Sequence, residues 1–479
     1  MSEPALLTIR SKDDVAGFVA SRPSMTGRTK MLTAIALLSV FADGYDLGSL
    51  GLGIASLRAE MHLTAGEIGL VSALTAVGAL VSSLIGGYVA DRTGRFKLFV
   101  IVGVALVVTP IGAALAPNFA TLAVFRFLMG VAVGLDIPVA FSFMAEFGRH
   151  ATRGRSLNLW QPLSSVATIV AALVVLVSFL ALGDGGHLWR WAVAFGAFPM
   201  LIVVALRLRY AEESPVWVAA NRGLEQAGAI LEKSYGVHVV IEPGAEPPSA
   251  HGTREKPRIR ALFSRKYRAR TVLSAVITSA QSLQYYAVGF YTPVIAGLIF
   301  GADIVAVILS TIAVNLVALV GGSIQPLLTH RLGLWKLAAV GFSIVALAML
   351  GLGLLGDVKG GGPLAYLAIG LVAVLLFGHT FGPGPVSKTM PTLSYPTEIR
   401  GMGTGMAETV GRIGTIVGLS VVPVMLDSWG QGHTLLLLAV VPIAALATLA
   451  TIRWDPLKQD VEGSAAANAE PAKASDSGC

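Results

Sequence analysis

Apolar runs alternate with short polar segments along almost the whole chain. They fall at 31–56, 67–90, 98–115, 119–146, 157–182, 188–206, 271–299, 302–328, 334–356, 364–394, 402–427 and 432–452. A helix needs about 20 mostly apolar residues to cross a bilayer, so the pattern predicts twelve transmembrane helices. Residues 1–30 form a polar, mixed-charge lead with no short apolar core and no small-residue cleavage site, so the first run reads as a retained span. The connection at 207–270 separates the spans six and six. It opens with Ser214-Pro215, a helix-start signal, runs helically to about Lys233, and has loop composition from Glu242 to His251.

Composition agrees with the pattern. Of the 479 residues 54% are hydrophobic and 13% charged, against roughly a quarter charged in soluble domains, which excludes an ordinary soluble globule. The single cysteine, Cys479, excludes a disulfide framework, a cysteine zinc site and a Cys-x-x-Cys redox motif. Net charge is +7, but its placement carries the information. Of 35 Lys and Arg, 29 fall on the side of the termini and three (Arg58, Arg190, Lys359) on the other, which places both termini in the cytoplasm. The basic surplus is therefore a topology signal and not a nucleic-acid footprint. Arg126, Lys388 and Arg412 remain inside the bilayer.

An internal repeat supports the division. At an offset of 239 residues, Arg92, Gly94 and Lys97 after span two match Arg331, Gly333 and Lys336 after span eight. Two homologous halves with a substrate site between them near the midplane is a recurrent carrier architecture. The expected organisation is a cytoplasmic lead (1–30), a six-helix half (31–206), a cytoplasmic connection (207–270), a second six-helix half (271–452) and a disordered cytoplasmic tail (453–479).

The stretch Gly87-x-x-x-Asp91-Arg92-x-Gly94-Arg95 resembles the signature cytoplasmic motif of the major facilitator superfamily. Arg126-Phe-Leu-Met-Gly130 through Gly134, Pro138, Glu146 and Arg153-Gly154-Arg155 is similar to its branch of sugar porters, aromatic-acid symporters and phosphate symporters. So are Glu213-Ser-Pro-Val-Trp217 and Tyr395-Pro-Thr-Glu398-Ile-Arg400-Gly401. The resemblance implies an all-α, twelve-helix membrane protein working by alternating access. It also implies a gating role for Gly87, Asp91, Arg92, Gly94 and Arg95, with Glu146, Arg153, Arg331, Glu398 and Arg400. The Gly-Pro-rich span-five motif of drug antiporters is absent from 157–182. The paired glutamines of sugar porters are reduced to Gln281, with Gln284 and Tyr286 in neighbouring motif places, and no Pro-Glu-Thr follows Trp454. Asp43-Gly-Tyr-Asp46 and Phe381-Gly-Pro-Gly-Pro385 instead resemble the aromatic-acid and phosphate groups, in which Asp136 and Arg412 also fall at charged positions. This ranks an aromatic or other organic carboxylate first as solute, a sugar or polyol second and phosphate third.

Ionisable groups at the midplane cost about 2.5–3.5 kcal/mol each, so each needs a partner, water or a function. From the 1.5 Å rise, Asp46 lies about 15 Å below the outer end of span one and Arg126 about 10 Å below that of span four, so they can share a level. They are the expected proton carrier and its gate, with a permanent ion pair as the alternative. Asp43, one turn before Asp46, and Asp136 on span four are candidates for a second proton site. Arg412 offers a planar fork to an anionic solute, unless Glu408, four residues earlier, simply neutralises it. Lys388 either binds solute or snorkels to an interface. Gln281, Gln284, Tyr285, Tyr286 and Tyr291 on span seven are candidate contacts for a polar solute, or an aromatic packing stripe.

The chain contains no Gly-x-x-x-x-Gly-Lys phosphate loop, no His-Glu-x-x-His and no Gly-x-Ser-x-Gly, so neither ATP-driven pumping nor hydrolysis is expected. The expectation is a monomeric secondary transporter of the inner or plasma membrane. Its partners are a small-molecule solute, a proton and the lipid bilayer, without cofactor or metal. A non-transporting sensor on a carrier scaffold is the alternative of another class.

Overall fold

The computed structural model describes residues 6–21, 27–93, 95–147, 160–183, 187–210, 212–213, 215–242, 259–301, 303–358, 362–395 and 397–458. The apolar runs form helices. Span one is Gly27–Met61, two Ala65–Thr93, three Arg95–Ala114, four Phe119–Phe147 and five Trp160–Leu182, while six is broken into Leu188–Phe195 and Ala197–Tyr210. Span seven is Arg268–Gln284, a π-helical turn at Tyr285–Gly289 and Thr292–Phe300; eight is Ile304–Leu332 and nine Leu334–Leu355. Span ten is Pro363–Phe381 and Pro383–Leu393. Spans eleven and twelve run from Thr397 to Leu438 and on through Val440–Thr451. Between them the chain turns at Gly430, whose φ of 73° glycine adopts without strain. Large apolar side chains such as Leu115, Leu180 and Leu354 are exposed, as a lipid-facing surface requires.

Local sequence explains the breaks and starts. Pro383 and Pro385 carry no N–H, so the helix of span ten cannot continue unbroken past Gly382. Thr64 and Glu67 exchange hydrogen bonds as a capping box at the start of span two (2.8 and 3.3 Å).

The two halves are joined unevenly. Away from the termini they share one apolar core, in which Leu50, Ile54, Ile68 and Val71 pack with Phe290, Tyr291, Leu419 and Val422. Glycine makes this contact possible: a Cβ on Gly69 would stand 2.5 Å from the carbonyl oxygen of Ser420, and one on Gly51 2.8 Å from that of Phe290. Toward the termini each half has a core of its own, one around Phe99, Met129 and Val203 and the other around Leu273, Phe342 and Met390.

The lead and connection are more ordered than their composition indicated. Strand β1 (Leu6–Ile9) pairs in parallel with β2 (His238–Ile241), with Leu6 opposite His238 and Ile9 opposite Ile241. Helices Lys12–Ser21, Pro215–Asn221 and Leu224–Tyr235 complete a small lobe, whose Ile9, Val15, Leu231 and Tyr235 join the core of the first half. Glu213 ties the lobe to span three by accepting a hydrogen bond from the Phe96 amide (3.2 Å). The start of the expected disordered tail is also docked. Trp454 Nε1 donates to Ser394 Oγ (2.9 Å) and stacks under the Arg270 guanidinium, and the Asp455 carboxylate accepts from the Trp335 amide (3.2 Å). The remainder of that tail, 459–479, lies outside the described residues.

Candidate functional site

A cavity of about 160 Å³ lies between the halves, where spans one, two, four, five, seven, eight, ten and eleven converge. Its wall includes Asp43, Asp46, Gln281, Tyr285, Tyr286, Lys388, Glu408 and Arg412, so eight of the candidate residues are brought to one place.

On the first half's side, Asp46 faces Arg126. Nη1 of the guanidinium lies 3.0 Å from Oδ2 and 3.2 Å from Oδ1, with both side chains buried. The helix-rise expectation that the two share a level is met. Arg126 Nε and Nη2 have no hydrogen-bond partner among the described residues. The pair is therefore incompletely solvated, and breaking it would leave two poorly compensated charges.

Asp136 is not paired with Asp43. It binds Arg207, with Nη2 2.8 Å from Oδ1 and 3.0 Å from Oδ2. Arg207 also donates to the Phe99 carbonyl and Ser39 Oγ, and its guanidinium lies 3.4 Å from the Phe99 ring centre. This corrects the charge sorting: Arg207, counted with the connection, is wholly buried in the bundle. Its place near the end of the span-six helix made it look like the first charge of a loop. Asp43, by contrast, has Oδ2 buried and without a hydrogen-bond partner among the described residues.

The second half supplies the other charges. Lys388 neither snorkels nor stands alone; its ammonium binds both carboxylate oxygens of Glu408. Glu408 thus closes on span ten and does not pair with Arg412 on its own helix, as the four-residue spacing had suggested. Arg412 makes no hydrogen bond or ion pair among the described residues and faces the cavity.

Span seven divides its polar residues. The π turn presents Tyr285 and Tyr286 edge to face, with ring centres 5.2 Å apart, and Tyr285 stacks on His379 of span ten at 4.7 Å. Gln284 is a correction: it lies behind the cavity wall, 2.8 Å from His379 Nδ1, fixing that ring. Tyr291 is another; it is buried in the shared core and donates to the Leu419 carbonyl (2.7 Å). Gln161, Ser164 and Asn315 add polar wall that sequence reasoning missed. His379 also went unnoticed, although a histidine inside an apolar run was a usable signal.

Of the gating candidates, Gly94 and Arg153 lie outside the described residues, as do the side-chain positions of Gly87, Asp91, Arg92, Arg95, Glu146, Glu398 and Arg400. Arg331 is exposed at the end of span eight.

Comparison with known proteins follows the same outline. Residues 31–452 match the family model described as sugar (and other) transporter. The inner membrane metabolite transport protein YgcS of Escherichia coli is 27% identical over 426 residues, 89% of this chain and 91% of that protein. The arabinose-proton symporter of Bacillus subtilis is 26% identical, covering 90% and 93%. Among solved structures, the xylose transporter XylE of E. coli in a partially occluded inward-open conformation superposes with a TM-score of 0.73 at 18% identity, covering 91% of this chain and all of that one (100%). The expected twelve-helix fold is thereby shown, and the chain is no enzyme. Relatives named for arabinose, D-xylose and myo-inositol are among the matches. By its span pattern, its paired halves and its match over 31–452, this chain belongs to the sugar (and other) transporter family, within the major facilitator superfamily.

Proposed function

We propose that the protein is a proton-coupled symporter that takes up a sugar-type solute by alternating access, as a monomer in the inner or plasma membrane with both termini cytoplasmic. The ranking of solutes read from short motifs is thereby reversed, because relatives over most of the chain include an arabinose-proton symporter and a D-xylose transporter.

The observation that carries the reading is the buried Asp46–Arg126 pair at the wall of the cavity between the halves. Either the guanidinium or a proton can neutralise Asp46, and the two exclude one another. A shift of span one away from span four within the first half therefore exchanges one for the other, which couples proton movement to the change of access. Asp43 lines the cavity, and the Asp136–Arg207 pair, buried in the same half, stands within electrostatic reach of it as a second charge set. The shared core lies away from the termini and the separate cores toward them, the arrangement of a carrier facing the cytoplasm. Gly87, Asp91, Arg92, Gly94 and Arg95 would latch the opposite state, together with Glu146, Arg153, Arg331, Glu398 and Arg400.

Purified protein in liposomes tests this. Asp46→Asn abolishes uphill sugar accumulation driven by an imposed proton gradient while sugar counterflow persists. Uphill accumulation by the variant equal to wild type sinks the proton-switch reading.

A further inference from the structure

We infer that the sugar-type solute carries a carboxylate, as aldonates and uronates do, and that Arg412 is the group that holds it. This rests on the reading above that the solute is sugar-like and enters with a proton.

Four cations lie in or beside the cavity, and three of them are engaged. Arg126 binds Asp46, Arg207 binds Asp136 and Lys388 binds Glu408. Arg412 lines the same wall, and among the described residues nothing accepts a hydrogen bond from it. A guanidinium offers five donors in a rigid fork that matches a carboxylate and cannot be discharged at any ordinary pH. Placed with no acceptor in a cavity that must close around its cargo, it calls for one from the cargo.

Neutralising the nearby acids does not account for Arg412. Glu408 already has both oxygens on Lys388. Asp43 lies within electrostatic reach, yet among the described residues its buried Oδ2 receives no hydrogen bond. The charge count then links cargo to proton. Apart from the Asp136–Arg207 pair, three acids (Asp43, Asp46, Glu408) and three cations (Arg126, Lys388, Arg412) balance in and beside the cavity when all are ionised; the proton that neutralises Asp46 leaves one uncompensated positive charge. A carboxylate solute restores neutrality, so the proton and the anion load as a matched pair, whereas a neutral sugar leaves the occluded cavity charged.

The rest of the wall suits a hydroxylated body. Gln281, Gln161, Ser164 and Asn315 supply amides and hydroxyls, and the Tyr285–His379 stack with Tyr286 offers flat faces to a sugar ring.

The test is binding and counterflow with matched pairs, D-gluconate and D-glucuronate against D-glucose, on the purified protein. The acid is expected to bind about tenfold or more tightly than the neutral partner, the worth of a charge-assisted hydrogen bond. In Arg412→Gln the acid-to-neutral ratio collapses to about one, and in Arg412→Lys it is partly retained. Size-exclusion profiles establish that both variants are folded, and if Arg412→Gln is not, the lysine variant's weakened ratio serves in its place. Tighter binding of glucose than of either acid, or an acid preference that survives Arg412→Gln, overturns the inference and leaves the sugar-transport reading intact. Absence of binding and counterflow for acids and sugars alike, including xylose, arabinose and myo-inositol, overturns both.

Discussion

Arg58, at the end of span one, and Asp427, at the end of span eleven, face each other across the two halves, with nitrogen to oxygen distances of 3.0 and 3.4 Å. Both are about half exposed, at 48%. They belong to opposite halves and lie at the end where the halves share a core, so the pair must part whenever the cavity opens there.

Asp427→Asn is accordingly expected to favour opening at that end, by no more than about fivefold, since an exposed pair contributes at most about 1 kcal/mol. The measurement is the labelling rate of a cysteine placed at Ser72 on the cavity wall, in a chain with Cys479 replaced. High salt shrinks the effect, and the charge swap Arg58→Asp with Asp427→Arg restores the original rate. Labelling that ignores the substitution would show that the pair does no latching.

The Asp136–Arg207 pair predicts a larger and different effect. Asp136→Asn leaves a wholly buried guanidinium uncompensated, which costs about 3–5 kcal/mol. The expected outcome is a marked fall in apparent Tm. Joint replacement by Leu and Met recovers most of it, because apolar pairs of similar volume escape the desolvation penalty. An unchanged Tm in Asp136→Asn would refute a structural role for the pair.

A pH effect is expected at Glu60, which lies past the end of the apolar run 31–56 that crosses the bilayer. Burial opposes ionisation of Glu60, but hydrogen bonds from Arg190, Trp189 and His187 prevail and hold its carboxyl below the ordinary value of 4.5. Its contribution to stability is therefore complete above pH 4.5 and is lost as pH falls through the lowered value. Melting curves across acidic pH should show wild type losing stability below pH 4.5 more steeply than Glu60→Gln. Parallel curves would contradict this.

The lobe that joins lead to connection can be opened from one position. Ile9 is fully buried; Ile9→Asp removes about 1.5–3 kcal/mol of apolar burial and inserts a carboxylate without a partner. Hydrogen exchange should speed up at His238–Ile241 and stay unchanged in span nine. Retained protection of β2 would mean that the sheet does not hold the lobe together.

The level of a charge along a helix was legible in the sequence, because the rise per residue is fixed; this is how Asp46 and Arg126 could be matched before any coordinates. Rotation about the helix axis was not legible. That is why the four-residue spacing leaves Glu408 open as a partner of Arg412 when Lys388 approaches it from span ten, and why Gln284 and Tyr291, candidates for the wall, stand behind it. Arg207 shows a second limit, since a count of loop charges has no means of distinguishing a buried arginine near a helix end from a solvated one. For the solute, Asp43-Gly-Tyr-Asp46 and Phe381-Gly-Pro-Gly-Pro385 are short patterns, and the match over 31–452 outweighs them. The pairing of two four-residue strands 232 positions apart left no periodic trace at all.

That pairing also sets an order of assembly. Every side chain in the core of the first half and its lobe comes from residues up to Ile241. β1 is synthesised first and β2 only after all six spans of its half. The strand that closes the lobe thus emerges before any of span seven, and the first 241 residues carry every side chain of this terminus-side core and lobe while the second half, which completes the shared core, is still being made.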